Sequence, residues 1–192
     1  MVTFQGGETR QAILEGFTIR HGEGTMQYWP TAVLTYGGGI YIKDSSPNIT
    51  FNVIRDNAAA ECGGGIYITG VSSPRIVRNT IEDNYATDMG GGVFVDGSAS
   101  PLMQQNTIKD NEAASLPGDY PVPPYGRGGG ICVGMNASVR NIAGTAWPRL
   151  NSPPAGTESG GTWTYQNNTF SGNTHRGGRT DEGCHVYFAS SP

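Results

Sequence analysis

The sequence is poor in charge, in cysteine and in long apolar runs. Only 15% of its 192 residues are charged, and the net charge is −4. That balance suits no phosphate backbone, so nucleic acid is not an expected partner. No apolar run approaches the roughly 18–20 residues of a membrane-spanning helix, and no membrane span is expected. The opening residues lack the basic start and apolar stretch of a signal peptide. Met1 leads straight into strand-like sequence, as in a trimmed chain, so the missing signal leaves the compartment open.

The three cysteines, Cys62, Cys132 and Cys184, cannot all pair within one chain. None stands in a CxxC, which argues against a structural zinc site. Buried core thiols, or one disulfide with a free thiol, are the two readings left open. His21, His175 and His185 are scattered and show no HExxH spacing. There is no Gly-x-Ser-x-Gly elbow, and no long stretch has helical periodicity.

What is abundant is glycine, with 30 residues and 12 prolines beside them. With few charges and 36% hydrophobic residues, the chain is no disordered polymer. The glycine reads as turn punctuation in an all-β protein.

The glycines recur in a pattern. Gly37-Gly38-Gly39-Ile40-Tyr41-Ile42 returns as Gly63-Gly64-Gly65-Ile66-Tyr67-Ile68 and as Gly90-Gly91-Gly92-Val93-Phe94-Val95. It returns again as Gly128-Gly129-Gly130-Ile131-Cys132-Val133, and in worn form as Gly183-Cys184-His185-Val186-Tyr187-Phe188. A second block, Ser46-Pro47-Asn48-Ile49-Thr50, matches Ser73 to Val77 and Ser100 to Gln104. A third, Asn52-Val53-Ile54-Arg55-Asp56-Asn57, matches Asn79 to Asn84, Asn106 to Asn111 and the later Asn168 to Asn173. The period is about 27 residues, too long for the calcium-binding nonapeptide roll.

Each block is a strand, since Ile40 and Ile42 alternate with Tyr41. Ile49 and Ile54 are an odd number apart, so both face inward only if the chain turns near Asn52. One repeat therefore has three short strands and three corners. Asn52 and Asn57 are expected at corners, in left-handed backbone. Stacked coils then form three inward ladders. They are Leu14, Ile49, Ile76, Met103 and Tyr165; Ile19, Ile54, Ile81, Ile108 and Phe170; and Ile40, Ile66, Val93, Ile131 and Val186. Arg55, Glu82 and Lys109 form an outward ladder of alternating charge, which supports this register.

These repeats resemble those of the right-handed parallel β-helix proteins, the pectate-lyase-like superfamily. They are also similar to the GGA-I and FxxN repeats of polymorphic outer-membrane proteins. The resemblance runs from Leu14 to Phe188. It implies an all-β, single-stranded solenoid of about five coils. It also implies an extracellular or cell-surface setting, with relatives that are polysaccharide lyases, hydrolases, adhesins or stalks. The chain reads as one domain over residues 1–192, a segment of a longer protein.

Function on a solenoid sits where the repeat is interrupted. Insertions are expected at 23–36, 112–127 and 134–164. They carry Tyr28, Trp29, Tyr120 and Tyr125, rings suited either to stacking on sugars or to folding back as lids over the solenoid. Tyr41, Tyr67 and Phe94 form an outward aromatic ladder, read either as a flat sugar platform or as a surface covered by a loop or a neighbouring chain. Glu61, Asp88 and Glu112 are placed on one expanded corner in successive coils, the candidate catalytic acids, with Arg127 as a substrate clamp. Asp56, Asp83 and Asp110 stack at one position, as turn residues or as a calcium site.

Three functions are compatible with this. The first is a noncatalytic binding, adhesion or spacer domain, with polysaccharide or a surface glycan as its ligand. The second is a polysaccharide lyase or glycoside hydrolase. The third is a subunit of a filament assembled head-to-tail through bare strand edges. No cofactor is expected other than calcium.

Overall fold

The computed structural model describes residues 1–29, 32–114, 128–134, 163–165, 167–176 and 186–188. Every element among them is a strand. The chain winds through parallel sheets, in which the strands of the repeat pair with their copies one coil away. The first sheet holds Val2–Phe4, Ile40–Lys43, Ile66–Thr69, Val93–Val95, Ile131–Val133 and Val186–Phe188 in that order. The second holds Ile13–Glu15, Asn48–Thr50, Arg75–Val77 and Leu102–Gln104. The third holds Thr18–Arg20, Val53–Arg55, Thr80–Glu82, Thr107–Lys109 and Asn168–Ser171.

The registers are those of the repeat. Ile40, Ile66, Val93, Ile131 and Val186 stand side by side, and Val2 extends this row at its start. Ile19, Ile54, Ile81, Ile108 and Phe170 form the next row, and Leu14, Ile49, Ile76 and Met103 the third. The described side chains among them close a single apolar core, with Phe170 as its one fully buried ring. A coil offers too little apolar area to fold alone, so stability accrues at each coil-to-coil contact.

Three expectations need correction. Tyr165 does not extend the third row, because Trp163–Tyr165 turns back and pairs antiparallel with Asn168–Ser171. A fourth parallel sheet exists, made of Ala58–Ala59, Tyr85–Ala86, Glu112–Ala114 and Thr174–Arg176. Strands this short show no alternation in sequence, so the coil was read with three strands. The insertion at 23–36 is an antiparallel hairpin of Thr25–Trp29 and Ala32–Tyr36.

The third correction concerns the asparagines. The left-handed residues are the ones just before them: Phe51, Arg78 and Gln105, and Asp56, Asp83 and Asp110, all at φ between 53° and 57°. The asparagines are buried inside the bend. Asn79 shows the pattern. Its N–H donates to Asn106 Oδ1 at 3.0 Å, and its Nδ2 donates to the same oxygen and to the Ile49 carbonyl. Asn52, Asn79, Asn106 and Asn168 thus form one amide row, and Asn57, Asn84, Asn111 and Asn173 another. A corner must turn peptide groups away from the sheet, and these side chains satisfy them without water.

The charged row holds its register but only half its pairing. Lys109 meets Glu82 at 2.9 Å, whereas Arg55 turns to its neighbour Asp56 at 3.2 Å. Gly64 shows how closely the glycine corner packs, since a Cβ there would collide with the carbonyl oxygens of Tyr85 and Gly91.

Candidate functional site

The corner between the fourth sheet and the glycine block brings acids together. Tyr36, Cys62 and Met89 are bridged in parallel, one per coil. Asp88 N–H donates to the Glu61 carbonyl at 3.0 Å, which sets Asp88 beside Glu61. The ligand atoms of Glu61, Cys62 and Asp88 all lie within 4.8 Å of one another. Among the described residues, no other trio of His, Cys, Asp or Glu converges in this way.

Burial pushes the Glu61 carboxyl above its ordinary value, so it holds its proton more tightly than a free glutamate. Burial also pushes the Cys62 thiol well up, reinforced by the nearby charges of Asp88 and Glu61. A thiol so raised is no nucleophile at neutral pH. The trio offers oxygen and sulfur donors of the kind a borderline cation accepts, at the cost of displacing the thiol proton. The sequence points to both acids but offers Cys62 only as a core thiol or a disulfide partner; it is a free, buried thiol that also faces the two acids. Cys62 is buried against Tyr41, Tyr67, Phe94 and Cys132.

Glu112 does not join this corner. It pairs with Tyr85 and Thr174, three positions before Asp88 in the repeat. The regular strand runs on to Ala114, so the expanded segment begins after Glu112 rather than at it. Arg127, Tyr120 and Tyr125 lie outside the described residues.

Tyr41, Tyr67 and Phe94 are buried, with ring centroids 5.6 Å apart along the row. Tyr36 and Met89 pack against them, and Tyr67 donates its hydroxyl to Asp96 at 3.1 Å. The platform reading fails for this row, because its rings form a second core. The covered reading holds. Tyr28 is different. It is 79% exposed on the hairpin, beside the exposed Met26 and opposite the exposed Val33. The side chain of Trp29 lies outside the described residues.

Asp56, Asp83 and Asp110 all adopt the left-handed conformation that their corner requires. Burial, then the neighbouring Glu82, Asp110 and Asp56, push the Asp83 carboxyl up. Arg55 and Lys109 offset the two outer members at 3.2 and 3.7 Å.

A family model described as right handed beta helix region matches residues 7–191. No curated protein and no solved structure matches the chain.

Proposed function

The chain belongs to the right-handed β-helix family, and from that premise we propose a noncatalytic extracellular or cell-surface binding and spacer domain with a polysaccharide ligand. The fold hosts many activities, so the site has to carry the reading. The observation that carries it is Tyr28. The hairpin does not continue the coil stack, yet it holds an aromatic ring in solvent between Met26 and Val33. A ring kept in water at a site that coil stacking does not use suits the apolar face of a sugar. The other described aromatic row is spent on packing.

The test is a glycan array, run with calcium and with chelator, on the wild type and on Tyr28→Ala. Binding is expected to weaken about tenfold or more in the variant, with the thermal transition unchanged. Loss of binding in chelator would add calcium, with Asp56, Asp83 and Asp110 as its ligands. An array without a hit would sink the polysaccharide ligand.

A second reading, glycoside hydrolysis, has one observation in its favour. Glu61 and Asp88 converge, and burial raises the Glu61 carboxyl above its ordinary value. That is the start of an acid and nucleophile division between two carboxylates. Release of reducing ends from an array hit, abolished by Glu61→Gln, would move the protein to that class.

A further inference from the structure

We propose that the hairpin carrying Tyr28 takes an uncharged polysaccharide and turns uronate and sulfated chains away. This deepens the sugar reading of Tyr28 and rests on it. Across the hairpin Met26 faces Thr35 and Tyr28 faces Val33, so these four side chains share one side. Met26, Tyr28 and Val33 are exposed there, whereas Gln27 and Leu34 on the other side are half-buried. The shared side is therefore the one turned to water. The Tyr28 hydroxyl reaches Met26 Sδ at 3.8 Å. The ring thus leans along its strand and shows solvent a flat apolar face.

This face leads to acids. Thr35, at the end nearest the coils, accepts a hydrogen bond from Ala60 N–H at 2.7 Å. Glu61 follows Ala60, and Asp88 N–H donates to the Glu61 carbonyl at 3.0 Å. Tyr28 and Met26 are two strand residues apart, about 7 Å. The ring and the two carboxylates therefore lie on one short path, the ring leaning toward them. The exposed Glu23 stands just before the hairpin. No cation of the hairpin offsets these acids, because from Gly24 to Ile42 the sequence holds no Lys, Arg, His, Asp or Glu.

Charge then sorts the ligands. A polysaccharide stacked on Tyr28 carries its next residues over negative potential. A carboxylate or sulfate on those residues meets like charge, with no guanidinium or ammonium of the hairpin to receive it. An uncharged sugar meets no such penalty, because its hydroxyls can turn their hydrogens to a carboxylate. The ring supplies affinity whatever the charge of the sugar, and the acids at its margin supply the selection.

Isothermal titration calorimetry on the full chain tests this, in chelator and again with calcium. The probes are hexasaccharides of β-glucan, xylan and mannan, and hexagalacturonate. At least one uncharged hexasaccharide is expected to bind, and about 1 M salt should change its affinity by less than roughly twofold. Tyr28→Ala should weaken it about tenfold or more. Hexagalacturonate should give no binding in either buffer. Val33→Lys sets a cation at an exposed position opposite Tyr28. It should create hexagalacturonate binding that about 1 M salt removes. Hexagalacturonate bound by the wild type and lost in Tyr28→Ala would overturn this inference and leave the sugar reading of Tyr28 standing. An uncharged hit indifferent to Tyr28→Ala, or a Val33→Lys variant that gains nothing, would overturn it too. Silence from all four probes would overturn it and, with an array lacking hits, the polysaccharide reading as well.

Discussion

The inner and outer faces of the first sheet are both buried, yet they are built differently. On the inner face Ile40, Ile66, Val93 and Ile131 are fully enclosed by the second and third sheets. On the outer face Tyr41, Tyr67, Phe94 and Cys132 are covered by the Tyr36, Cys62 and Met89 row. The inner layer is aliphatic and sealed at its corners by amide rows. The outer layer is aromatic and sulfur-bearing, and acids stand at its margin. Parallel sheets are usually covered on both faces. An outward aromatic ladder on a solenoid is therefore not by itself a binding platform.

The largest effect expected from this difference is at Ile66. An aspartate there would sit uncompensated in the closed core, at a cost that exceeds the roughly 5–15 kcal/mol of a typical domain. Ile66→Asp should show no cooperative urea transition. Tyr67→Ala, one residue along and on the other face, removes a larger side chain but should leave a folded protein. Its loss should be about 3 kcal/mol. If Tyr67→Ala also failed to fold, the two layers would be equal partners and the comparison would collapse.

A smaller effect sharpens the role of the corner seal. Asn79→Ala removes the Oδ1 that accepts both from the N–H of Asn52 and from its Nδ2. It also strips the Ile49 carbonyl of its donor. A cost of about 2 kcal/mol is expected, each orphaned buried group being worth roughly 1–3 before relaxation. Phe17→Ala, at the same repeat position in the first coil, should cost less, because no amide row passes through it. Urea midpoints for the two variants make the test, and equal losses would remove the seal as the source of inner rigidity.

The inner layer was legible in the sequence and the outer one was not, for a physical reason. Period-two alternation names which side chains share a face, and the repeat supplies their stacking partners, so Ile54, Ile81 and Ile108 could be aligned by eye. Alternation carries no information about what covers the opposite face. Sequence alone therefore leaves Tyr41, Tyr67 and Phe94 between platform and core, and the packing of Tyr36 and Met89 against them decides for core. The pairing of Glu61 with Asp88 followed from the repeat. Glu112 was misplaced because the expanded corner was counted from the last asparagine, although Glu112–Ala114 is still regular strand. The asparagine corners were recognised but shifted by one residue. Asparagine tolerates left-handed backbone, and here it is needed instead as a buried donor and acceptor.

The smallest expected effect lies at the acidic margin of the outer layer. Burial raises the Glu61 carboxyl above its ordinary 4.5. The folded state therefore binds this proton more tightly than the unfolded chain does. The contribution to stability is whole below the unfolded value and is lost as pH rises through the folded one, leaving a charged Glu61 as a penalty at neutral pH. Glu61→Gln keeps the shape and removes the titration. The variant should match the wild type in urea midpoint near about pH 4 and exceed it slightly near about pH 7. Asp83 titrates in the same direction in both proteins and cancels from the difference. If Glu61→Gln were instead less stable at neutral pH, the charged carboxylate would be held by a compensating cation. The Glu61, Cys62 and Asp88 trio would then be the place to look for it, and a chelator should reproduce the loss in the wild type.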